Sequence, residues 1–373
     1  VGWLTGWQYR RPVTINNTNN SNDLTDYQVL VVVDTASLIQ QGKMQADGDD
    51  IRFTDSDGTT LLPYWIEGPI NDANTKIWVK VPSIPAQGTK VIYFYYGNPT
   101  ASSESSVTNT FIREIDGAQP VKGSWHIDKG SGTTTYDSSG NNNHGTIYGA
   151  VWTTGRFGYA LQFDGVDDYV DVGTGLNDLD NVLSIEAWIY PTNLSGRRPI
   201  YSTRINNANG SYQLEVGAGN GGTNRIAVTT PGMWNLETYD NAVTTNVWQH
   251  IVYVKDGTFQ AIYKDGASLP LLTNAPETFI DNNDPKLIGK GIPSYTVPFA
   301  GRIDEVRIYN RPLTAEEISD LYNYYGYTTP NYAGRVLVRK RIDPEPTTSV
   351  GNEETSEVPP IVIVQRRLLI IGV

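Results

Sequence analysis

Short β-rich runs return about every ten residues along this 373-residue chain, and almost nothing with a helical 3.6-residue period separates them. From Trp7 to about Gly97 they are QYRRPVTINNT, YQVLVVVD, DIRFTDSD, LLPYWIEG, TKIWVKVP and KVIYFYYG, each bounded by turn residues. Val, Ile, Tyr and Thr fit a pleated, half-buried surface, whereas Gly, Asn and Asp fit the turns between. This spacing predicts an all-β chain built from antiparallel β-sandwiches. TDSDGTT, between two runs, reads as a hairpin turn because Asp-Gly tolerates positive φ. DGDD and DSDG cluster carboxylates, but the twelve-residue loop ending in Glu that an EF-hand needs is missing.

A polar stretch, NPTASSESSVTNT at residues 98–110, predicts a linker between a first domain at 1–97 and a second at 111–330. The second repeats the pattern through GSWHID, YALQFDG, DYVDVG, LSIEAWIYP, SYQLEVGAG, NRIAVTT, VWQHIVYVKDG, TFQAIYKDG and AGRIDEVRIYN. PLTAEEISDLYNYY then changes period. Thr314 is a good N-cap with Glu317 three residues on, and Ile318 and Leu321 share a face, so one short helix is expected. Residues 331–342 predict one more strand, placed on the first domain's sheet, and 343–360 an extended tether.

The formal net charge is -12, which repels phosphate backbones and argues against nucleic acid as a partner. There is no cysteine, hence no disulfide and no thiol chemistry. A first residue of Val rather than Met fits a chain whose signal peptide has been removed, so a secreted or cell-surface protein is expected. Asn16, Asn19, Asn193 and Asn209 stand in Asn-x-Ser/Thr acceptors for glycosylation.

The motif DSSGNNNHGTIYGAVWTTGRFGYALQFDGVDDYVDV, followed by LSIEAWIYP, VWQHIVYVKDG and FAGRIDEVRIYNRPLTAEEI, resembles the concanavalin A-like, laminin-G-like jelly-roll family over about 200 residues. The first hundred residues resemble a secreted domain of unknown function that precedes such jelly rolls in archaeal and bacterial surface proteins. The resemblance implies two sheets packed face to face, one of them concave. It also implies a calcium ion near the meeting of the first and last strands, with Asp304 the expected ligand and Asp128 and Asp137 as helpers. The alternative pairs Asp304 with Arg302 or Arg307 and leaves the other two to hold turns.

Catalysis is not expected. Glycosidases need two carboxylates about 5 to 9.5 Å apart, and the Glu-x-Asp-x-x-Glu string of the related glucanases is absent. Glu186 stands alone in LSIEAWIYP, and a regular strand would put Asp304 and Glu305 on opposite faces. His126, His144 and His250 lie in no HExxH or Gly-x-Ser-x-Gly setting. AGNGGTN leads into a strand, not into the helix N-terminus of a phosphate loop.

Two non-catalytic roles remain. Trp234, Tyr239 and Tyr295 lie in polar contexts suited to stacking on sugar faces, which predicts glycan partners for an adhesin; Trp188 and Trp248 alternate with core residues and should pack. The ending PPIVIVQRRLLIIGV points elsewhere. A spanning helix needs about 20 apolar residues, and Gln365, Arg366 and Arg367 interrupt this run, so no transmembrane segment is expected. Ile361, Val362, Ile363 and Val364, then Leu368, Leu369, Ile370 and Ile371, read instead as a strand at 361–373 buried on both faces. Each such side chain gains about 1.5 to 3 kcal/mol on burial, and left in water they are an aggregation hazard. Donation of this strand to a neighbour would make the chain the subunit of an extracellular filament, a homo-polymer joined by strand addition; docking on its own chain buries the same side chains.

Overall fold

The computed structural model describes residues 1–116, 120–176, 179, 181–204, 211–217, 222–280, 283–292 and 296–356, Trp234 among them through its backbone. The chain forms two compact units: Val1–Ser106 with the described residues from Pro346 onward, and Val107–Glu345.

In the first unit a six-stranded antiparallel sheet runs in the order Thr347–Val350, Tyr9–Asn16, Thr89–Tyr96, Arg52–Thr54, Leu61–Leu62, with Glu354–Thr355 also on Tyr9–Asn16. A three-stranded sheet runs Leu24–Val33, Thr75–Ile84, Tyr64–Gly68. Strand alternation buries Val13 and Ile15, Val29 and Val31, Ile77, Val79 and Val81, and Ile92 and Phe94 in the core. The TDSDGTT hairpin forms as expected: Phe53 pairs with Leu62, Asp55 N donates to Thr60 O at 2.8 Å, and Gly58 takes φ +81.

The segment read as a linker is fastened to this unit. Ser105 Oγ accepts from Ile66 N at 2.9 Å, Ser106 N donates to Tyr64 O at 2.8 Å, and the Ser102 carbonyl accepts from Arg52 at 2.6 Å. The expected tether is corrected likewise, since Thr347–Val350 and Glu354–Thr355 are strands, paired through their main chain and not through apolar alternation. The extra strand falls at Val336–Arg339, but it pairs with Tyr325–Tyr327 and Arg113–Ile115 of the second unit and not on the first domain's sheet.

The second unit is the larger sandwich. Its nine-stranded sheet runs Thr134–Thr135, Gly145–Tyr148, Tyr169–Asp171, Leu287–Ile288, Arg197–Ser202, Gln213–Gly217, Arg225–Thr230, Met233–Thr238, Leu271–Asn274. The opposing eight-stranded sheet runs Val151–Thr154, Tyr159–Asp164, Ala300–Tyr309, Val182–Pro191, Gln249–Asp256, Phe259–Lys264, Ala267–Ser268, with Val121–Trp125 also on Ala300–Tyr309. Both contribute to one core, including Ile147, Val170, Leu214, Val216, Ile226, Val228 and Leu236 from the first and Ile185, Ala187, Ile251, Ile303, Val306 and Ile308 from the second.

The helix at Ala315–Asn323 starts with the expected capping box: Thr314 Oγ1 accepts from Glu317 N, and Glu317 accepts from Thr314 N at 2.9 Å. Ile318 and Leu321 press it onto Val252, Val254 and Tyr309, with Val336 and Val338 beside them. Two further short helices, Thr35–Gln40 and Val107–Thr110, escaped the sequence reading because so few turns leave no periodic pattern.

Ala300–Tyr309 also departs from regular alternation. Its register with Val182–Pro191 slips between Glu186 and Trp188, and Glu305 sits at φ +49. This bulge leaves two residues between inward Ile303 and Val306, so Asp304 and Glu305 both turn away from the inter-sheet core and not to opposite faces as expected. On that outer side, wholly buried Glu186 accepts from Arg307 at 3.0 Å and Tyr309 at 2.5 Å, and meets His250 Nε2 at 3.0 Å. Arg307 also reaches Glu305 and the Gly326 carbonyl.

Burial by itself would raise the Glu186 pKa, yet Arg307, His250 and Tyr309 together lower it from 4.5 to about 2. An acid held below its ordinary value stabilises the fold above that value and stops doing so as pH falls through the folded one. Glu186→Gln should therefore cost about 3 to 5 kcal/mol in urea unfolding at pH 7. The gap to wild type should close between pH 4.5 and about 2. A gap that stays constant over that range would contradict this account.

Candidate functional site

The three expected calcium ligands are each occupied by other work. Asp137 Oδ1 accepts from Ser124 N and Ser139 N, and its Oδ2 from Ser139 Oγ and Asn143 N, all at 2.9 Å. Asp304 Oδ2 accepts from Arg156 N at 2.8 Å and Phe157 N at 3.1 Å, so it pairs with neither Arg302 nor Arg307. Burial and the neighbouring Glu305 push its carboxyl pKa well up, against those N–H groups. Asp128 takes Tyr159 N at 3.1 Å and Arg341 at 3.2 Å. Among the described residues, the metal-ligand group within reach of a single ion is Asp164, Asp167 and Asp168, not these three. That group shapes its own turn, with Asp168 Oδ2 accepting from Asp164 N at 2.8 Å and Asp164 Oδ1 from Val166 N at 2.7 Å.

The three histidines are hydrogen-bonded within the second unit. His250 backs Glu186, His126 sits between Glu305 at 2.9 Å and Thr328 Oγ1 at 2.8 Å, and His144 accepts from Asp137 N at 3.1 Å. Trp188 packs with Phe157 and Tyr325, with half-buried Trp248 against that cluster.

The helix Ala315–Asn323 and the sheet of Tyr325–Tyr327, Val336–Arg339 and Arg113–Ile115 pack on the outer side of the eight-stranded sheet. The outer face of the nine-stranded sheet carries a different set. Tyr148 and Tyr169 are paired in register beside inward Ile147 and Val170, so both rings turn outward. The rings stack at 4.6 Å and 14°, Tyr148 is 46% exposed, and the Lys290 ammonium lies 4.1 Å from the Tyr169 ring centroid. Two residues along the same strands, exposed Thr146 and half-buried Asp171 are also paired and share this face. Burial, with Tyr148 and Asp171 beside it, holds the Tyr169 phenol pKa up, so the ring keeps a neutral hydroxyl donor. Two strands thus present an aromatic platform, a hydroxyl and a carboxylate in one block, and Lys290, just past the neighbouring strand Leu287–Ile288, adds an ammonium.

Polar groups continue across the sheet. Ser202 pairs with Gln213 and Gln213 with Thr229; Glu215 pairs with Ala227 and Ala227 with Glu237. All lie opposite the core positions Leu214, Val216, Ile226, Val228 and Leu236. Among the described residues, buried Gln213 Oε1 and Asn235 Oδ1 accept no hydrogen bond. Glu215 and Glu237, two strand spacings or about 10 Å apart, approach the separation of an inverting carboxylate pair. Arg197 nevertheless clamps both oxygens of Glu215, at 2.7 and 3.0 Å, and Arg225 holds Glu237 at 3.4 Å. Burial raises both glutamate pKa values against that pairing.

Of the expected sugar-stacking residues, Trp234 lies within the strand Met233–Thr238 rather than a loop, opposite Thr229 in register. Tyr239 follows that strand, 54% exposed. Tyr295 is outside the described residues, as are Asn209 and 361–371. Asn16, Asn19 and Asn193 are exposed, as acceptors must be. Sequence reasoning missed Tyr148, Tyr169 and Lys290. The alternation Gly145-Thr-Ile-Tyr148 beside Tyr169-Val-Asp171 held a signal for the tyrosines, but only their pairing brings them together.

Residues 163–319 match the family model of the concanavalin A-like lectin/glucanases superfamily, and residues 47–128 match the domain of unknown function DUF2341. Both families are those the sequence resembles, with DUF2341 preceding the lectin-like domain as expected. No curated protein matches the chain. Among solved structures, domain 4 of an extracellular GH43 arabinanase from Geobacillus stearothermophilus, in complex with arabinotriose, is similar at 22% identity and TM-score 0.46, over 54% of this chain and 98% of that one. The binding domain of Paraclostridial Mosquitocidal Protein 1 is 18% identical, with TM-score 0.40 over 55% of this chain and 52% of that one. Trypanosoma rangeli sialidase is 13% identical, with TM-score 0.41 over 68% and 41%.

Because the bonds of Asp137 all close within the chain, EDTA should leave the melting temperature unchanged, whereas Asp137→Ala should cost about 2 kcal/mol or more by exposing buried N–H groups to no acceptor. Differential scanning calorimetry with and without calcium checks both; a calcium-dependent rise that Asp137→Ala abolishes would restore the metal.

Proposed function

We propose that the second unit is a non-catalytic glycan-binding module of a secreted surface protein, and that its ligand docks on the outer face of the nine-stranded sheet. The observation that carries this reading is the outward tyrosine stack with Lys290, Thr146 and Asp171 around it. A sugar ring offers a C–H face that loses water against an aromatic platform, and a rim of hydroxyls that needs donors and acceptors close by. An aromatic stack with one ring left exposed is otherwise apolar surface given to water. The arginine clamps on Glu215 and Glu237 support binding over hydrolysis, since an acid/base pair must be free to exchange protons.

A second reading, assembly into a filament by strand donation, is favoured by one specific observation. The last described residues already add to a sheet edge of the first unit, as far as Ser356 N donating to Gln8 O at 2.9 Å. The aliphatic blocks at 361–364 and 368–371 follow within a few residues of that edge in the sequence. On this reading they complete a neighbouring copy.

For the first reading, Tyr148→Ala with Tyr169→Ala should weaken glycan binding at least about tenfold, each ring contributing about 1 kcal/mol, with little change in melting temperature; a glycan array on which wild type and variant give the same signals would refute it. For the second, a chain ending before Pro359 should stay monomeric in light scattering while the full chain associates, and association that survives truncation would remove 361–371 from the assembly.

A further inference from the structure

The strand closing the six-stranded sheet of the first unit is held in an unusual way. Thr347–Val350 pairs with Val13 to Asn16 and Glu354–Thr355 with Tyr9 and Arg10. Between them the ladder breaks opposite Pro12, which has no N–H to give, and Gly351 N donates to the Pro12 carbonyl at 2.8 Å. Proline confines a strand to a sheet edge or a bulge, so Tyr9–Asn16 is built as an edge that something must cover. The cover is polar. Glu353 meets Lys43 at 2.5 Å and the Tyr96 hydroxyl at 2.8 Å, Glu354 meets Arg10 at 2.6 Å, and Thr348 Oγ1 donates to Leu30 O at 2.7 Å. No residue from 346 to 356 is buried. A single residue, Pro346, links this strap to Glu345, which is anchored in the second unit by both its oxygens on Arg339.

We propose that the strap is exchangeable, and that the Tyr9–Asn16 edge is also an interaction surface for residues 347–355 of a second copy of this chain. It extends the assembly reading but uses a different segment and a different edge chemistry. The contacts are the same whether the strap comes from its own chain or from a neighbour, so the edge itself does not choose between them. The choice falls to effective concentration, which a short tether sets in the millimolar range. Because no residue of the strap is fully buried, leaving one edge for an equal one loses no core packing. Copies linked this way either close as a swapped dimer or propagate head to tail.

Thr14 and Ser349 are paired in register and lie beside, not within, the core positions Val13 and Ile15. The chain has no cysteine of its own, so engineered thiols report without background. Full-length Thr14→Cys and Ser349→Cys chains, mixed at about 1 mM and oxidised, should yield a disulfide joining the two different variants, identified by mass, in a fraction that rises with concentration. The double variant Thr14→Cys/Ser349→Cys should close within one chain when dilute. Internal closure of the double variant with no mixed product at about 1 mM would overturn the proposal, and so would failure of the double variant to close. Neither result depends on residues 361–371, so this test and the truncation fail separately.

Discussion

A guanidinium buried away from water organises the second unit. Arg307 is a fixed cation that can be buried only if carboxylates and carbonyls surround it, and its partners arrive from three places: Glu186 on the neighbouring strand, Glu305 on its own, and the Gly326 carbonyl from the covering sheet. The bulge at Glu305 follows from this need. A non-glycine residue at φ +49 costs on the order of 1 to 3 kcal/mol, offset here because regular alternation would have sent one of the two carboxylates into the apolar core. The charged layer in turn needs a roof, which the helix at Ala315–Asn323 and the strands at Tyr325–Tyr327 and Val336–Arg339 supply. The core of the eight-stranded sheet thereby has apolar cover on its second side, whereas the outer face of the other sheet keeps an exposed ring at its Tyr148–Tyr169 end.

Much of this fold was legible in the sequence. The ten-residue rhythm, the Asp-Gly hairpin and the Thr314 capping box are local signals, and each corresponds to the element it predicts. The bulge was not legible, because a reading by alternation assumes a period of two and Asp-Glu-Val-Arg carries no glycine to mark where the period slips. Nor was the partner of Val336–Arg339, since alternation announces a strand but not the sheet that receives it.

The candidate site divides the same way. Tyr239 was read from its context and is exposed, but the tyrosine platform depends on two strands some twenty residues apart meeting in one register. The calcium that the family resemblance implies at Asp137, Asp128 and Asp304 is not legible in those residues themselves, because acidic residues in turns look alike in sequence whether they hold an ion or hold backbone N–H groups. Only the count of donors around each carboxylate separates the two, and at Asp137 four donors fill both oxygens.

Two polar, low-complexity stretches in the first unit read as linker and tether, and both cover its edges: Ser105 and Ser106 against Tyr64–Gly68, and 347–355 against Tyr9–Asn16. Main-chain pairing makes this possible, because a strand that contributes only N–H and C=O groups to an edge needs no apolar alternation and leaves no hydrophobic trace. The same physics separates the two kinds of contact proposed for the tail. The strap binds through backbone and ion pairs, which any copy satisfies equally and which salt weakens at its exposed charges. The aliphatic segment beyond it would bind through side chains that demand a matched apolar groove. In the proposed assembly the first would be permissive and reversible and the second selective, so a chain carrying both in succession would meet a neighbour through the strap before committing its aliphatic residues.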